Sequence, residues 1–288
     1  MRKISPTGLT GDNLLAYYRT ALNTKDELLE TPADEDVILD LRDADWLNPA
    51  FLAPISVVYH QLLDQNSKMW VWRPDDRIKS YLDHIGFPSG DLNPDTSSSN
   101  SLPLYLMESE TDTKSPSKVA TKIRTLIKKH LYNELGGKIN SFQYPIGEIV
   151  SNIETHSKYS YATLLSQYYP NKGCLDICIV DDGISIPGNF EDHSISFDDD
   201  YDALKKAFTE RLSTRPDDER QQGYGLFTST NMICEGLNGQ VVLSSRNATM
   251  NRMGSSMNQT LFNYNWSGTV FAARLNTPSP DFNYLDYV

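Results

Sequence analysis

Apolar positions in the first ninety residues recur in two rhythms. Leu14, Leu15, Tyr18 and Leu22 fall at helical spacing and predict a helix over about 12–30, which the polar run Thr31–Asp36 breaks. Val37-Ile38-Leu39-Asp40-Leu41 is a short apolar run that reads as a strand. Asn48-Pro49 then opens a helix expected over 49–65, because Asn is a good cap and Pro suits a first turn. Lys68-Met69-Trp70-Val71-Trp72 reads as a second strand, followed by a helix carrying Ile78, Tyr81, Leu82 and Ile85 and ended by Gly86. Strand, helix, strand, helix at these lengths predicts a parallel α/β unit.

The pattern changes after residue 88. Residues 88–118 are rich in Ser, Pro, Asp, Asn and Thr, with Leu102–Met107 as a strand-like run inside them. Ser117 can cap a helix over 118–135 whose Lys118, Lys122, Arg124, Lys128 and Lys129 form a basic, solvated face. Further helices are expected over 142–157 and 226–235, and strands at Cys174–Val180, Val241–Leu243 and Val270-Phe271, with Arg246–Trp266 a polar excursion. The expected division is an α/β unit over 1–90, a linker over 91–117, a second unit over 118–276 and an acidic tail over 277–288. Together they give an α/β (α+β sandwich) protein whose second sheet carries helices on one face.

Composition narrows the function. A net charge of -12 argues against a general nucleic-acid or anionic-membrane surface. No apolar run approaches the roughly 20 residues of a membrane helix, and Met1-Arg2-Lys3 leads into no signal-peptide core. Cys174, Cys178 and Cys234 form no CxxC pair, so buried reduced thiols and a cytoplasmic location are expected.

The chemistry concentrates between Pro145 and His156. Glu148, Asn152 and His156 lie at i, i+4 and i+8 and share one helix face, while Ile146, Ile149, Val150 and Ile153 fill another. A carboxylate can take a proton, an amide oxygen can ligand Mg²⁺, and an imidazole can hydrogen-bond or carry charge. Taken alone, this stripe reads as a solvated polar face. Downstream, however, Cys174–Val180 runs into Asp181-Asp182-Gly183, then come Gly223-Tyr224-Gly225-Leu226 before a helix, and Gly268-Thr269 before a last strand.

That order of Glu-xxx-Asn helix, Asp-x-Gly, Gly-x-Gly-Leu and Gly-Thr resembles the histidine-kinase-like ATPase superfamily, GHKL, over about residues 116–276. Within it the chain looks most like the anti-sigma-factor serine kinases, whose helix also reads Glu-xxx-Asn-xxx-His. The resemblance implies a Bergerat-type sheet binding ATP with Mg²⁺. It implies Asp181 as acceptor for the adenine amino group and Gly183 as the residue that lets backbone approach the base. Gly223, Gly225, Leu226 and Thr269 would line the nucleotide, Asn152 would ligand Mg²⁺, and Glu148 would be the general base. The polar segment 188–222 would be an ATP lid, a poor core candidate, from which Arg215 or Arg220 could reach the γ-phosphate. Ser185 stands where the family's second glycine would be.

Residues 12–90 resemble the STAS domain of anti-anti-sigma factors. Asn48-Pro49-Ala50 occupies the place of that family's phosphorylatable Ser, which removes the hydroxyl of a self-contained phospho-switch. There is no histidine-bearing dimerisation helix ahead of the ATPase-like region, and the chain is expected to lack the second domain of gyrase and MutL relatives. Three readings remain. The first is a Mg²⁺-dependent protein kinase acting on Ser/Thr of a small, STAS-like partner. The second is an ATP-gated switch that hydrolyses slowly and changes its partner or its self-association, a homodimer included. The third is a nucleotide-binding adaptor without turnover.

Overall fold

In the computed structural model the described residues are 1–72, 76–90, 100–109, 128, 140–209, 224–278 and 282–287. The N-terminal unit alternates β1 (Arg2–Ile4), α1 (Leu14–Leu29), β2 (Val37–Asp40), α2 (Pro49–Asp64), β3 (Met69–Trp72) and α3 (Asp76–Ile85). Its three strands lie parallel in the order β1-β2-β3. Asn13 and Asn48 cap α1 and α2 by accepting the backbone N–H of Ala16 and Ala50. The pattern predicted these elements except β1, whose three residues are too few to show a period.

The second sheet contains β4 (Ser101–Glu108), β5 (Tyr161–Tyr169), β6 (Cys174–Asp181), β7 (Gln240–Met253) and β8 (Ser256–Asn276). It is antiparallel throughout, in the order β4-β5-β6-β8-β7. The segment read as a linker over 91–117 therefore supplies the edge strand β4. The stretch Arg246–Trp266 is no loop: β7 and β8 continue as a hairpin past irregularities at Ser245–Ala248 to a turn at Gly254 and Ser255. Helices α4 (Asn140–His156), α5 (Ile186–Asp192), α6 (Asp200–Thr209) and α7 (Tyr224–Asn231) belong to this unit, and a π-turn over Met232–Gly236 extends α7. The expected helix over 118–135 lies outside the described residues except for Lys128, which is exposed.

Every residue of β6 is buried, which a strand at the centre of a covered sheet requires. Its two faces go to different cores. Ile177 and Ile179, with Leu164, Val241, Leu243, Phe271 and Ala273, pack under α4, α6 and the π-turn. Cys178 and Val180, with Leu165, Val242, Val270 and Ala272, pack against α1 and α2. The expectation of helices on one face thus describes only the second unit's own cover, because the N-terminal unit supplies a second helical layer. Alternation at period two along β6 sorts its side chains between the two cores.

Two helices also form inside the stretch expected to be a lid. Phe190 of α5 is buried, as are Ala203, Leu204 and Phe208 of α6, so residues 186–209 contribute to the core rather than merely covering it. Residues 210–223, with Arg215, Arg220 and Gly223, lie outside the described residues.

Candidate functional site

The site begins where β6 ends. Asp181 is fully buried, paired in register with Thr269 of β8, and its backbone carbonyl accepts the indole N–H of Trp266 at 2.7 Å. One carboxylate oxygen, Oδ1, accepts the backbone N–H of Gly183 at 3.0 Å. The other, Oδ2, is buried with no hydrogen-bond partner among the described residues. Burial pushes this carboxyl up to about 8, against the opposing effect of the Gly183 and Thr269 backbone N–H groups, and the neighbouring Asp182 charge adds to the rise. An unpaired carboxylate oxygen in a dry interior is costly unless something donates to it.

Two glycines allow the chain to close around this group. A Cβ on Gly183 would lie 1.9 Å from the Ser157 carbonyl oxygen, and one on Gly268 would lie 2.2 Å from that of Asp181. Backbone has nowhere to go in either case, so both positions require glycine. The N–H of Ile184 donates to the Ser157 carbonyl, tying the Asp-x-Gly loop to the end of α4. Ser157 itself is buried, its hydroxyl without a partner among the described residues. Ser185 caps α5 by accepting the N–H of Gly188 at 3.0 Å. Ser245 holds the other side, accepting from the Ile186 N–H at 3.0 Å and donating to the Gly268 carbonyl at 2.8 Å.

From Ser157 the polar stripe runs back along α4. Glu148 and Asn152 are half-buried, and both face the start of α7. A Cβ on Gly225 would lie 2.8 Å from Glu148 Oε2 and 3.6 Å from Asn152 Nδ2. The structure therefore brings together Glu148, Asn152 and Gly225, with Leu226 following on α7. At about 1.5 Å per residue, Asn152 stands about 7 Å and Glu148 about 13 Å along the helix from Ser157. The stripe thus leads away from the buried Asp181 toward the Gly-x-Gly helix start. Tyr144, one turn before Glu148, has its hydroxyl pushed up by burial and by the Glu148 charge.

Among the described residues no cluster of three or more His, Cys, Asp and Glu side chains could hold a metal by itself. Any cation here would take most of its ligands from a bound molecule or water. None of the described helices is long and apolar enough to cross a membrane. The three cysteines are buried and unbridged. No protein-family model matches the chain, and no curated protein matches it significantly in sequence.

Sequence reasoning missed how the N-terminal unit meets this site. Asn48 is buried and donates its amide N–H to Asp176 Oδ2 of β6 at 2.7 Å. A phosphate at that position would confront a buried carboxylate. At the far end of α2, Gln61 donates to Asp182 Oδ2 at 3.2 Å, one residue from Asp181. The available signal was the composition of α2, apolar on nearly all sides, which marks a helix covered on more than one face.

Proposed function

We propose that this protein binds Mg²⁺·ATP as a regulatory nucleotide-binding protein of the GHKL type, with a STAS-like N-terminal unit packed on the back of a Bergerat-type sheet. The observation that carries the reading is the buried carboxylate of Asp181, one oxygen held by Gly183 and the other without a donor among the described residues. An exocyclic amino group of adenine is a donor of the required kind, and Gly183 and Gly268 let the backbone close tightly around the carboxylate. Order along the chain supports the rest: the base end lies at Asp181 and the phosphate end at Glu148, Asn152 and the Gly225 helix start, where backbone N–H groups favour anions. Mg²⁺, when bound with ATP, would neutralise phosphate charge, and the Asn152 carboxamide is the side chain suited to ligand it.

Glu148 would take the proton from an attacking hydroxyl or water as its oxygen bonds to the γ-phosphorus and the bond from that phosphorus to the bridging oxygen breaks, releasing ADP. Asn48 offers no hydroxyl and is buried, so the chain's own STAS-like unit supplies no acceptor there. A Ser/Thr of a partner protein, or water, must supply it. The buried Asn48 favours a second reading, a nucleotide-gated switch in which the N-terminal unit is a fixed part of the device rather than its substrate.

Isothermal calorimetry with ATP, GTP and Mg²⁺ tests the proposal. ATP should bind in preference to GTP, and Asp181→Asn should weaken ATP by about 1–3 kcal/mol, the cost of a lost charge-assisted hydrogen bond. Equal affinity for ATP and GTP, or an Asp181→Asn variant binding like the parent, would overturn it.

A further inference from the structure

The loop that carries Asp181 is held from both units. On the β8 side the Trp266 indole and the Thr269 pairing fix its backbone. On the other side the work falls to Asp182. Its Oδ1 accepts the backbone N–H of Ser160 at 2.8 Å and of Tyr161 at 2.9 Å, and its Oδ2 accepts from Gln61 of α2. The same turn of α2 grips β5 directly. Tyr161 donates its hydroxyl to Asp64 at 2.8 Å, and the His60 ring stacks on Tyr161 with centroids 5.1 Å apart.

The other end of α2 is pinned too, through Asn48 and Asp176. The steps from Asp176 to Asp182 along the strand span about 20 Å at about 3.3 Å each. Those from Asn48 to Gln61 along the helix span the same at about 1.5 Å each. Helix and strand are thus commensurate between the two ties, so α2 cannot slide along β6 without breaking one of them. A contact from the N-terminal unit therefore reaches the residue next to the nucleotide carboxylate through a rigid element.

We infer that Gln61 is a positioning residue of the nucleotide site: acting through Asp182, it sets the Asp181 loop, so that the N-terminal unit and nucleotide occupancy are coupled. This rests on the reading of Asp181 as a nucleotide contact. Coupling of this kind is reciprocal, so bound nucleotide must in turn steady the end of α2.

Full-length protein with Gln61→Leu and Gln61→Lys tests it. The first removes the donor at similar volume, and the second restores one with a charge complementary to Asp182. Gln61→Leu should weaken ATP about tenfold by calorimetry, and Gln61→Lys should recover affinity to within about threefold of the parent. Hydrogen exchange supplies a readout that a purely structural role would not move. ATP should slow exchange at the C-terminal end of α2 in the parent and in Gln61→Lys, and not in Gln61→Leu. Parent-like affinity in Gln61→Leu, equal losses in both variants, or retained ATP protection of α2 in Gln61→Leu would each overturn the inference while leaving nucleotide binding intact. A parent that binds no adenine nucleotide would remove the site reading itself and the coupling with it.

Discussion

Arg274 holds Asp176 by two parallel N–H···O bonds of 2.7 Å, from Nε to Oδ1 and from Nη2 to Oδ2. Asp176 is fully buried at the centre of the second sheet, and Arg274 also reaches Asp12, just before α1, at 2.6 Å. The pair therefore fastens the sheet to the N-terminal unit as well as satisfying a buried charge.

Removing one partner is expected to cost far more than the pair contributes. Arg274→Ala leaves a buried carboxylate with, among the described residues, only the Asn48 amide as side-chain donor, and should lower stability by about 3–5 kcal/mol in denaturant unfolding. Replacing both Asp176 and Arg274 with apolar residues of similar size should recover much of that loss. A single variant with parent-like stability would show that Asp176 is hydrated or neutral.

Asp181 predicts two opposite pH dependences. Its carboxyl is raised to about 8 from an ordinary value of 3.8, so the folded protein holds this proton more tightly than the unfolded chain. Its contribution to stability is complete below about 4 and is lost as pH rises toward about 8. A ligand that donates to the ionised oxygen must expel the proton, so ATP affinity should instead increase with pH up to about 8 and then level off. Asp181→Asn should abolish both trends. Calorimetry from pH 6 to 9 in the two proteins checks this, and a flat affinity profile in the parent would contradict it.

The glycines separate folding from chemistry. Gly183→Ala and Gly268→Ala meet backbone at 1.9 and 2.2 Å and should destabilise the fold by about 1–3 kcal/mol or more. Gly225→Ala meets the flexible end of Glu148, which can swing aside. That variant should fold with nearly parental stability and lose turnover because the carboxylate has moved. Normal turnover in Gly225→Ala would show that Glu148 need not stand against α7.

As the proposed base, Glu148 would be needed only after nucleotide has bound. Glu148→Gln should keep ATP affinity and lower phosphate release or transfer by roughly 10²–10⁴. Single-turnover assays with and without a partner protein would measure it, and unchanged turnover would end its assignment as a base.

Much of this was legible in the chain. Strongly periodic segments such as α1 and the largely apolar β6 announced themselves, and the i, i+4 spacing of Glu148 and Asn152 anticipated that they would share the helix face that meets Gly225. Other features depend on contacts between distant residues and have no local signature. α5 and α6 read as polar because each buries only a few residues, Phe190 in one and Ala203, Leu204 and Phe208 in the other. The ties Asn48–Asp176 and Gln61–Asp182 join positions more than a hundred residues apart, and an uncharged amide gives no hint of its partner. Tertiary pairing, unlike periodicity, is written in no single stretch of sequence.

The placement of α2 between two sheets has a consequence for synthesis. Phe51, Ile55, Val58 and Leu62 are wholly buried in the core that α1 and α2 share with β6 and β8, and β8 is made after every other strand among the described residues. As the chain emerges from the ribosome, the N-terminal unit can close on its own parallel sheet but keeps an apolar flank bare until β8 arrives. Nascent chains in that interval should be sticky and dependent on chaperones, and the two halves expressed separately should each aggregate but rescue one another when made together.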